Sequence, residues 1–577
     1  MIRKQFSTVP FRLRSLKSKP KIRSDKHYKP PGPKKSPPAV DVLELSSPTP
    51  VPASKLLSDL YQNDPSIAAK LHPIDISHPW RHFPNARKLR RKVILHIGPT
   101  NSGKSYAALK AFRAAKSGFY AGPLRMLARE IYDRLENENV PCNLLTGDEV
   151  LEKYDPVTGE RARLSAGTVE MVDLSQDFEV AVIDEIQMID DPDRGWAWTK
   201  AVLGVRANEL HLCGDANSEK VIRTLMAQTG DDLEVRKYQR LSPLKIDERQ
   251  LSPAKLIGML RPGDCVVCFS KKQVKEMRDR IVKQRKQKCA IIYGSLPPET
   301  RAEQAKLFNN PESPVKFLVA SDAIGMGLNL AIRRIIFTSL KKFNGEEMVP
   351  LPVPQIKQIA GRAGRFKLAD KSEGAGTGLV NALSLEAKET IREALKAPSP
   401  EIQHAVIQPP NRVIMASSVD KASMFSHTLQ SVYQSALVQV PYIRPRDNSA
   451  VHVAQLYDHV FGLTFEDKLA LANAPVSTTP ECQAAFIRYC EVIGSGRVAN
   501  VVDVNRDIAD LANRTIPTIK LENIHKAITL FLWLSYRFPC NFIDREGATD
   551  LKELCERRLN ANLASSKALE RPQTRRR

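Results

Sequence analysis

Gly98, Pro99, Thr100, Asn101, Ser102, Gly103, Lys104 and Ser105 form a short polar turn flanked by glycines and ending in Lys and Ser. That spacing suits a loop whose backbone amides close around phosphate oxygens, with Lys104 reaching the β and γ phosphates and the Ser105 hydroxyl on Mg²⁺. The apolar run 93–97 before it and the Ala-, Leu- and Lys-rich stretch after it predict the strand and helix that such a loop requires. Without that frame the same residues are only a structural glycine turn. Further on, four apolar residues, 180–183, are followed by Asp184 and Glu185. Acids at the C-terminal end of a buried strand stand where an open α/β sheet binds ligands. Asp184 is expected to hold Mg²⁺, and Glu185 to orient and deprotonate an attacking water.

A third segment completes the chemistry: Gln358, Gly361, Arg362, Ala363, Gly364 and Arg365. Two arginines three apart, separated by small residues, can approach one polyphosphate without obstruction. The planar guanidinium binds phosphate oxygens two at a time and never loses its charge. Such an arginine finger contributes on the order of 10³–10⁵ in turnover. A merely solvated basic patch does not need Gly361, Ala363 and Gly364.

These residues need a frame. From residue 91 to about 395, short apolar runs alternate with helical stretches, and the strand candidates are 93–97, 118–121, 180–183, 210–212, 266–269, 290–293, 316–320 and 334–338. Apolar strands separated by helices imply parallel sheets covered on both faces. The length is too great for one sheet, so the expected fold is α/β, with two tandem parallel-sheet domains at 91–235 and 236–395. Pro398, Pro400, Pro409 and Pro410 mark a break, after which 465–472, 481–493 and 520–537 read as helices. The expected third part, 396–577, is mainly helical with a basic tail.

The chain of 577 residues carries a net charge of +23, which favours polyanionic partners and says nothing about fold. Residues 1–40 hold twelve Lys or Arg against one acid, Asp25, yet the remainder stays basic. The acid-free start matches a mitochondrial or plastid transit peptide, assigned to 1–30; a disordered basic tail or a nuclear signal is the other reading. Eight prolines between residues 30 and 52 make 31–90 a linker and N-terminal region. The nine cysteines lack a framework spacing and fit free thiols. Cys265 and Cys268 resemble half a zinc site, but on a strand residues three apart face opposite ways, so they read as core. No run is long and apolar enough for a membrane-spanning helix, so no membrane insertion is expected.

Together these motifs resemble the superfamily 2 helicases. Gly122, Pro123 and Arg125, then Thr146 and Gly147, then Thr168 and Glu170 are similar to that family's nucleic-acid motifs in the first domain. Ser270, Gly294 to Arg301, and Asp322, Gly325, Gly327 and Asn329 occupy the motif positions of the second. Within the superfamily the wording is nearest to the mitochondrial degradosome RNA helicases of the suppressor-of-var type, and the likeness extends to 463–475 and 530–539. The resemblance implies RecA-like domains, ATP and Mg²⁺ as cofactors, and nucleotide contacts from Gly327 and Asp322 besides the loop. It implies RNA contacts at Pro123, Arg125, Thr146, Gly147, Thr168, Ser270 and Gly294. It further implies a mitochondrial matrix enzyme moving 3′ to 5′ on RNA tails and duplexes, with a 3′ exoribonuclease of the ribonuclease-II type as partner. Gln187 stands where other groups carry Asp or His, and Asp215 replaces the usual Ser-Ala-Thr coupling segment. Two other classes stay in view: a phosphate-loop NTPase remodelling DNA or RNA–DNA hybrids, and a nucleotide-dependent RNA-binding scaffold without unwinding.

Overall fold

The computed structural model describes residues 74–565, apart from 156–157, 326, 365–375, 418–423, 446–448 and 514. The basic start, most of the Pro-rich stretch, Arg365 and the C-terminal arginines lie outside the described residues.

The first sheet is built from β1 (Lys92–Ile97), β2 (Gly118–Gly122), β3 (Cys142–Leu145), β4 (Val150–Leu151), β5 (Leu164–Thr168), β6 (Asp177–Ile183), β7 (Arg206–Gly214) and β8 (Asp232–Lys237). Its order is β4-β3-β5-β2-β6-β7-β1-β8, and only β3–β4 is antiparallel. Burial on both faces explains the apolar runs. On β6, Ala181 and Ile183 join one core cluster while Val180 and Val182 join the cluster on the opposite face.

The second sheet contains β9 (Leu244–Ile246), β10 (Asp264–Val267), β11 (Lys288–Ile292), β12 (Val315–Ala320), β13 (Arg334–Phe337) and β16 (Gly378–Ala382), with a hairpin, β14 (Lys341–Phe343) and β15 (Met348–Pro350), standing apart. Its order is β11-β12-β10-β13-β16-β9, all parallel. Cys265 and Cys268 fall in the clusters on opposite faces, as free buried thiols. These are the two parallel sheets expected from the apolar runs, in the RecA-like form that the resemblance implies.

Several strands carry no such run. β5, Leu-Ser-Ala-Gly-Thr, is made of small and polar residues, and Gly167 is required because a Cβ there would lie 2.6 Å from the Leu145 carbonyl. β8 alternates charge with apolar residues because it is an exposed edge. β10 begins and ends two residues before the expected 266–269, since Ser270 caps the helix Lys271–Arg285 by accepting from the Gln273 amide.

Beyond the second sheet the chain is mainly helical, apart from a short parallel pair, Ala405–Val406 with Tyr442–Ile443, around a core that includes Tyr457, Phe486, Tyr489, Phe531 and Leu559. The helix Thr518–Ser535 reaches both sheets. Near its start Glu522 accepts from the Tyr293 and Ser295 hydroxyls, each at 2.9 Å, and pairs with Lys271. Near its end Trp533 packs on Gly147, and the following Tyr536 hydroxyl accepts from the Val150 amide at 3.2 Å. No described helix is long and apolar enough to cross a membrane.

Candidate active site

β1 delivers the chain into the loop at Gly98, and Gly103, with φ +84°, opens the helix Lys104–Ala114. Asn101 also takes a left-handed φ of 63°, and so does Glu185 at 53°. Non-glycine residues in that region are strained and persist only where the surroundings hold them. Lys104 is buried and folds back so that its ammonium donates to the Gly98 and Pro99 carbonyls, at 3.0 and 3.4 Å. The Ser102 hydroxyl is buried and has no partner among the described residues.

β6 ends at Ile183, which places the next two acids beside this loop. Asp184 is buried, with one oxygen receiving the Ser105 hydroxyl at 3.1 Å and the other the Tyr120 hydroxyl at 3.0 Å. Burial, and then the neighbouring Glu185, push its pKa up to about 6, against the pull of Lys104. Gln187 donates its side-chain amide to the Glu185 carboxylate, and its oxygen accepts from the Asp215 backbone amide at 3.1 Å.

The second sheet faces this loop across a cleft. Arg362 is 5 % exposed, and its guanidinium donates to the carbonyls of Gly325 and Leu328. A cavity of about 440 Å³ in the cleft is lined by Lys104, Ser105, Asp184 and Glu185 on one side and by Gly327 and Arg362 on the other. The expected phosphate contacts and one expected finger thus surround a single space. A second cavity, of about 700 Å³, holds Asp215 opposite Lys357 and Gln358, with Gly98 and Pro99 on its wall. Asp215 is held above the usual carboxylate range by burial, with Lys104 opposing.

Not every expected residue arrives at the nucleotide space. Gln358 lines the second cavity and packs on Gly325. Asp322 is not among the residues lining the first; its carboxylate accepts from Gln355 at 3.0 Å. Of the residues expected to touch RNA, Ser270 and Gly294 are exposed. Thr146 and Thr168 are buried, and the Thr146 hydroxyl closes its own turn by accepting from the Glu149 amide at 3.0 Å. Short polar residues close turns as readily as they face a strand, so sequence alone does not separate the two uses. Pro123 is buried with its carbonyl taken by Arg194 at 2.8 Å, and Arg125 pairs with Asp148. Gly147 lies under Trp533, and its carbonyl accepts from Arg537 at 3.2 Å.

Other residues enter the site unannounced. Tyr106 and Leu241, 69 % and 66 % exposed, line the first cavity. An aromatic residue directly after Ser105 is the only sequence signal for the former.

A family model described as the DEXQ-box helicase domain of Suv3 matches residues 79–238. The helicase conserved C-terminal domain matches 252–367, and the ATP-dependent RNA helicase SUV3 C-terminal domain matches 519–565. The chain is 43 % identical to the "ATP-dependent RNA helicase SUV3, mitochondrial" of Saccharomyces cerevisiae, across 84 % of this chain and 66 % of that protein. It is 40 % identical to the protein of the same name in Candida albicans, across 85 % of this chain and 70 % of the relative. The corresponding figures for the Oryza sativa protein of that name are 39 %, 85 % and 82 %. The chain therefore spans just under two thirds of the length of the S. cerevisiae protein.

Proposed function

The chain belongs to the SUV3 family of mitochondrial ATP-dependent RNA helicases, and on that premise we propose that it is an ATP-driven motor that unwinds RNA in the mitochondrial matrix. The observation that carries the reading is the single cavity with Lys104, Ser105, Asp184 and Glu185 on one wall and Arg362 on the other.

The residues fit a Mg²⁺–triphosphate. Ser105 and Asp184 present two oxygens 3.1 Å apart, the donor chemistry that a hard divalent cation selects. Among the described residues Lys104 donates to loop carbonyls and the buried Ser102 hydroxyl has no partner, so the loop keeps polar capacity for phosphate. When bound, the cation would neutralise charge on the transferring phosphate. Lys104 would exchange the Gly98 and Pro99 carbonyls for phosphate oxygens. Glu185, steadied by Gln187, is placed to orient the attacking water and accept its proton. Arg362 stabilises charge that develops on the γ phosphate. Arg365, the next arginine of the same segment, is proposed as a second finger.

Because the two walls come from different sheets, the extra contacts of ATP favour the closed cleft, and hydrolysis removes them. Exposed positions just past two strands of the second sheet, Ser270 after β10 and Gly294 after β11, support a nucleic-acid track beside the helical region. Unwinding in the 3′ to 5′ direction, with a 3′ exoribonuclease of the ribonuclease-II type taking the product, is part of the proposal and follows from the family resemblance.

The test is ATP turnover with and without single-stranded RNA, beside unwinding of 3′-tailed RNA and DNA duplexes at stated salt, because phosphate-driven affinity depends steeply on ionic strength. RNA-stimulated turnover and unwinding of 3′-tailed RNA are expected. Arg362→Ala should lose about 10³-fold or more in turnover while keeping nucleotide binding. Turnover indifferent to RNA, or unchanged in Arg362→Ala, would remove the assignment.

A further inference from the structure

The linker between the sheets, residues 238–243, makes contacts that its length alone does not require. Tyr238 is anchored to the first sheet, its amide donating to Ile97 at 2.8 Å and its hydroxyl bonded to His96 at 2.8 Å. Two residues later Arg240 turns into the seam between the lobes. One guanidinium nitrogen donates to the Thr100 carbonyl at 2.9 Å and to the Gly361 carbonyl at 2.8 Å, the other terminal nitrogen donates to Ala363, and Nε donates to Ser242 at 2.8 Å. Gly361 and Ala363 are the neighbours of Arg362 on either side. Thr100 belongs to the phosphate loop, next to Pro99, whose carbonyl Lys104 holds.

We propose that Arg240 is a positioning residue that ties the conformation of the phosphate loop to the placement of Arg362, so that the finger is set for hydrolysis only when the loop is. The proposal rests on the reading of the cleft as an ATP-hydrolysing site.

Three features carry it. The three guanidinium nitrogens meet four backbone carbonyls, of Thr100, Gly361, Ala363 and Ser242, a set that the single nitrogen of an ammonium group cannot hold together. A parallel link runs beside it: the Asn101 side-chain amide donates to the Ser242 hydroxyl at 2.8 Å, and that hydroxyl donates to the Gly364 carbonyl at 3.2 Å. The two backbones also meet directly, since a Cβ on Gly361 would lie 2.9 Å from the Thr100 Cβ. Any shift of the loop as Lys104 exchanges carbonyls for phosphate reaches the finger through this seam.

The experiment uses the full chain with Mg²⁺–ATP and saturating single-stranded RNA. Steady-state kcat and KM for ATP, affinity for a non-hydrolysable ATP analogue and the nucleotide-free melting temperature are measured for wild type, Arg240→Lys, Arg240→Gln and Arg362→Ala. Misplacing a reacting group by about 1 Å costs about 10²-fold, so both Arg240 variants should lose about that factor in kcat while KM and analogue affinity hold. Arg240→Lys with wild-type kcat, beside an inactive Arg362→Ala, overturns this inference and leaves the ATP-site reading standing. An active Arg362→Ala overturns that reading itself. Loss of analogue affinity and melting temperature in proportion to kcat makes Arg240 a static cross-link, which also overturns the proposal. Should neither Arg240 variant fold, Ser242→Ala cuts the parallel link: kcat falling with KM held supports the tie, and unchanged kcat defeats it.

Discussion

Gln187 donates to the carboxylate of Glu185, and the Gln187 oxygen is itself fixed by the Asp215 amide. The room for this bridge comes from Gly214, where a Cβ would lie 2.5 Å from the Gln187 oxygen. Glu185 sits at a left-handed φ, so without the bridge nothing at its carboxylate opposes relaxation of that strain. Gln187→Ala should lower RNA-stimulated kcat about 10–100-fold, the range for losing a group that orients a reacting one, with KM for ATP little changed. A raised KM for ATP with kcat unchanged would place Gln187 in nucleotide binding instead.

Gly361 has no space for a side chain. A Cβ would lie 2.8 Å from the Lys357 carbonyl and 2.9 Å from Thr100. Gly361→Ala should therefore push the two lobes apart at this point, at a cost of about 1–3 kcal/mol typical of overpacking. Thermal melting with and without an ATP analogue checks this: the analogue should raise the wild-type midpoint more than that of the variant.

Where the helical region meets both lobes, Glu299, His525 and Glu556 bring one ligand-type atom each to within 4.8 Å of one another, beside Lys552, Asp148 and Arg125. Burial first, and then Glu299, raise Glu556 to about 8. Burial opposes ionisation of Glu299 as well, but Lys552 and His525 outweigh it and hold that carboxyl at about 2. His525, lowered to about 4 chiefly by burial, stays neutral above that. A carboxyl raised on folding lends stability that is present below its ordinary pKa and lost as pH climbs to the folded value. Glu299 is ionised in both states above its ordinary 4.5, and neutral burial of His525 adds stability with rising pH only up to its ordinary 6.5, so the window from about pH 7 to 8.5 belongs to Glu556. The melting temperature should fall across it in the wild type and stay flatter in Glu556→Gln. Parallel curves would show that the carboxyl is ordinary.

Trp533 is 6 % exposed, touches Gly147, and carries the Arg537 guanidinium 3.7 Å from its ring centre. Trp533→Ala should cost about 3–5 kcal/mol where the helical region docks on the first sheet. Limited proteolysis should then release that region sooner than in the wild type. An unchanged cleavage rate would mean that the helix docks without this ring.

The fold and much of the lining of the first cavity are legible in the sequence for a local reason. The strands before the phosphate loop and before Asp184 are largely apolar runs buried in the sheet, and those two motifs follow them directly, whereas Gln358 and Arg362 lie in and just past the helix Val353–Ala360. Arg240 is not legible, because its partners at Thr100, Gly361 and Ala363 are main-chain carbonyls more than a hundred residues away, and a carbonyl has no residue signature. Glu522 hides for a similar reason, being an ordinary acid in a helix until Tyr293 and Ser295 come beside it. The residues expected to touch RNA are the least legible, since the Thr146 hydroxyl closes its own turn and Thr168 is buried while Ser270 and Gly294 are exposed.

The helix that begins at Thr518 holds one lobe through Glu522 and the other through Trp533. Eleven residues separate the two grips, about 16 Å of stiff rod at 1.5 Å per residue. A strut fastened at both ends fixes the spacing along its own side of the molecule. Relative motion that keeps both fastenings is therefore a swivel about the strut, and a gaping separation requires one of the two joints to let go.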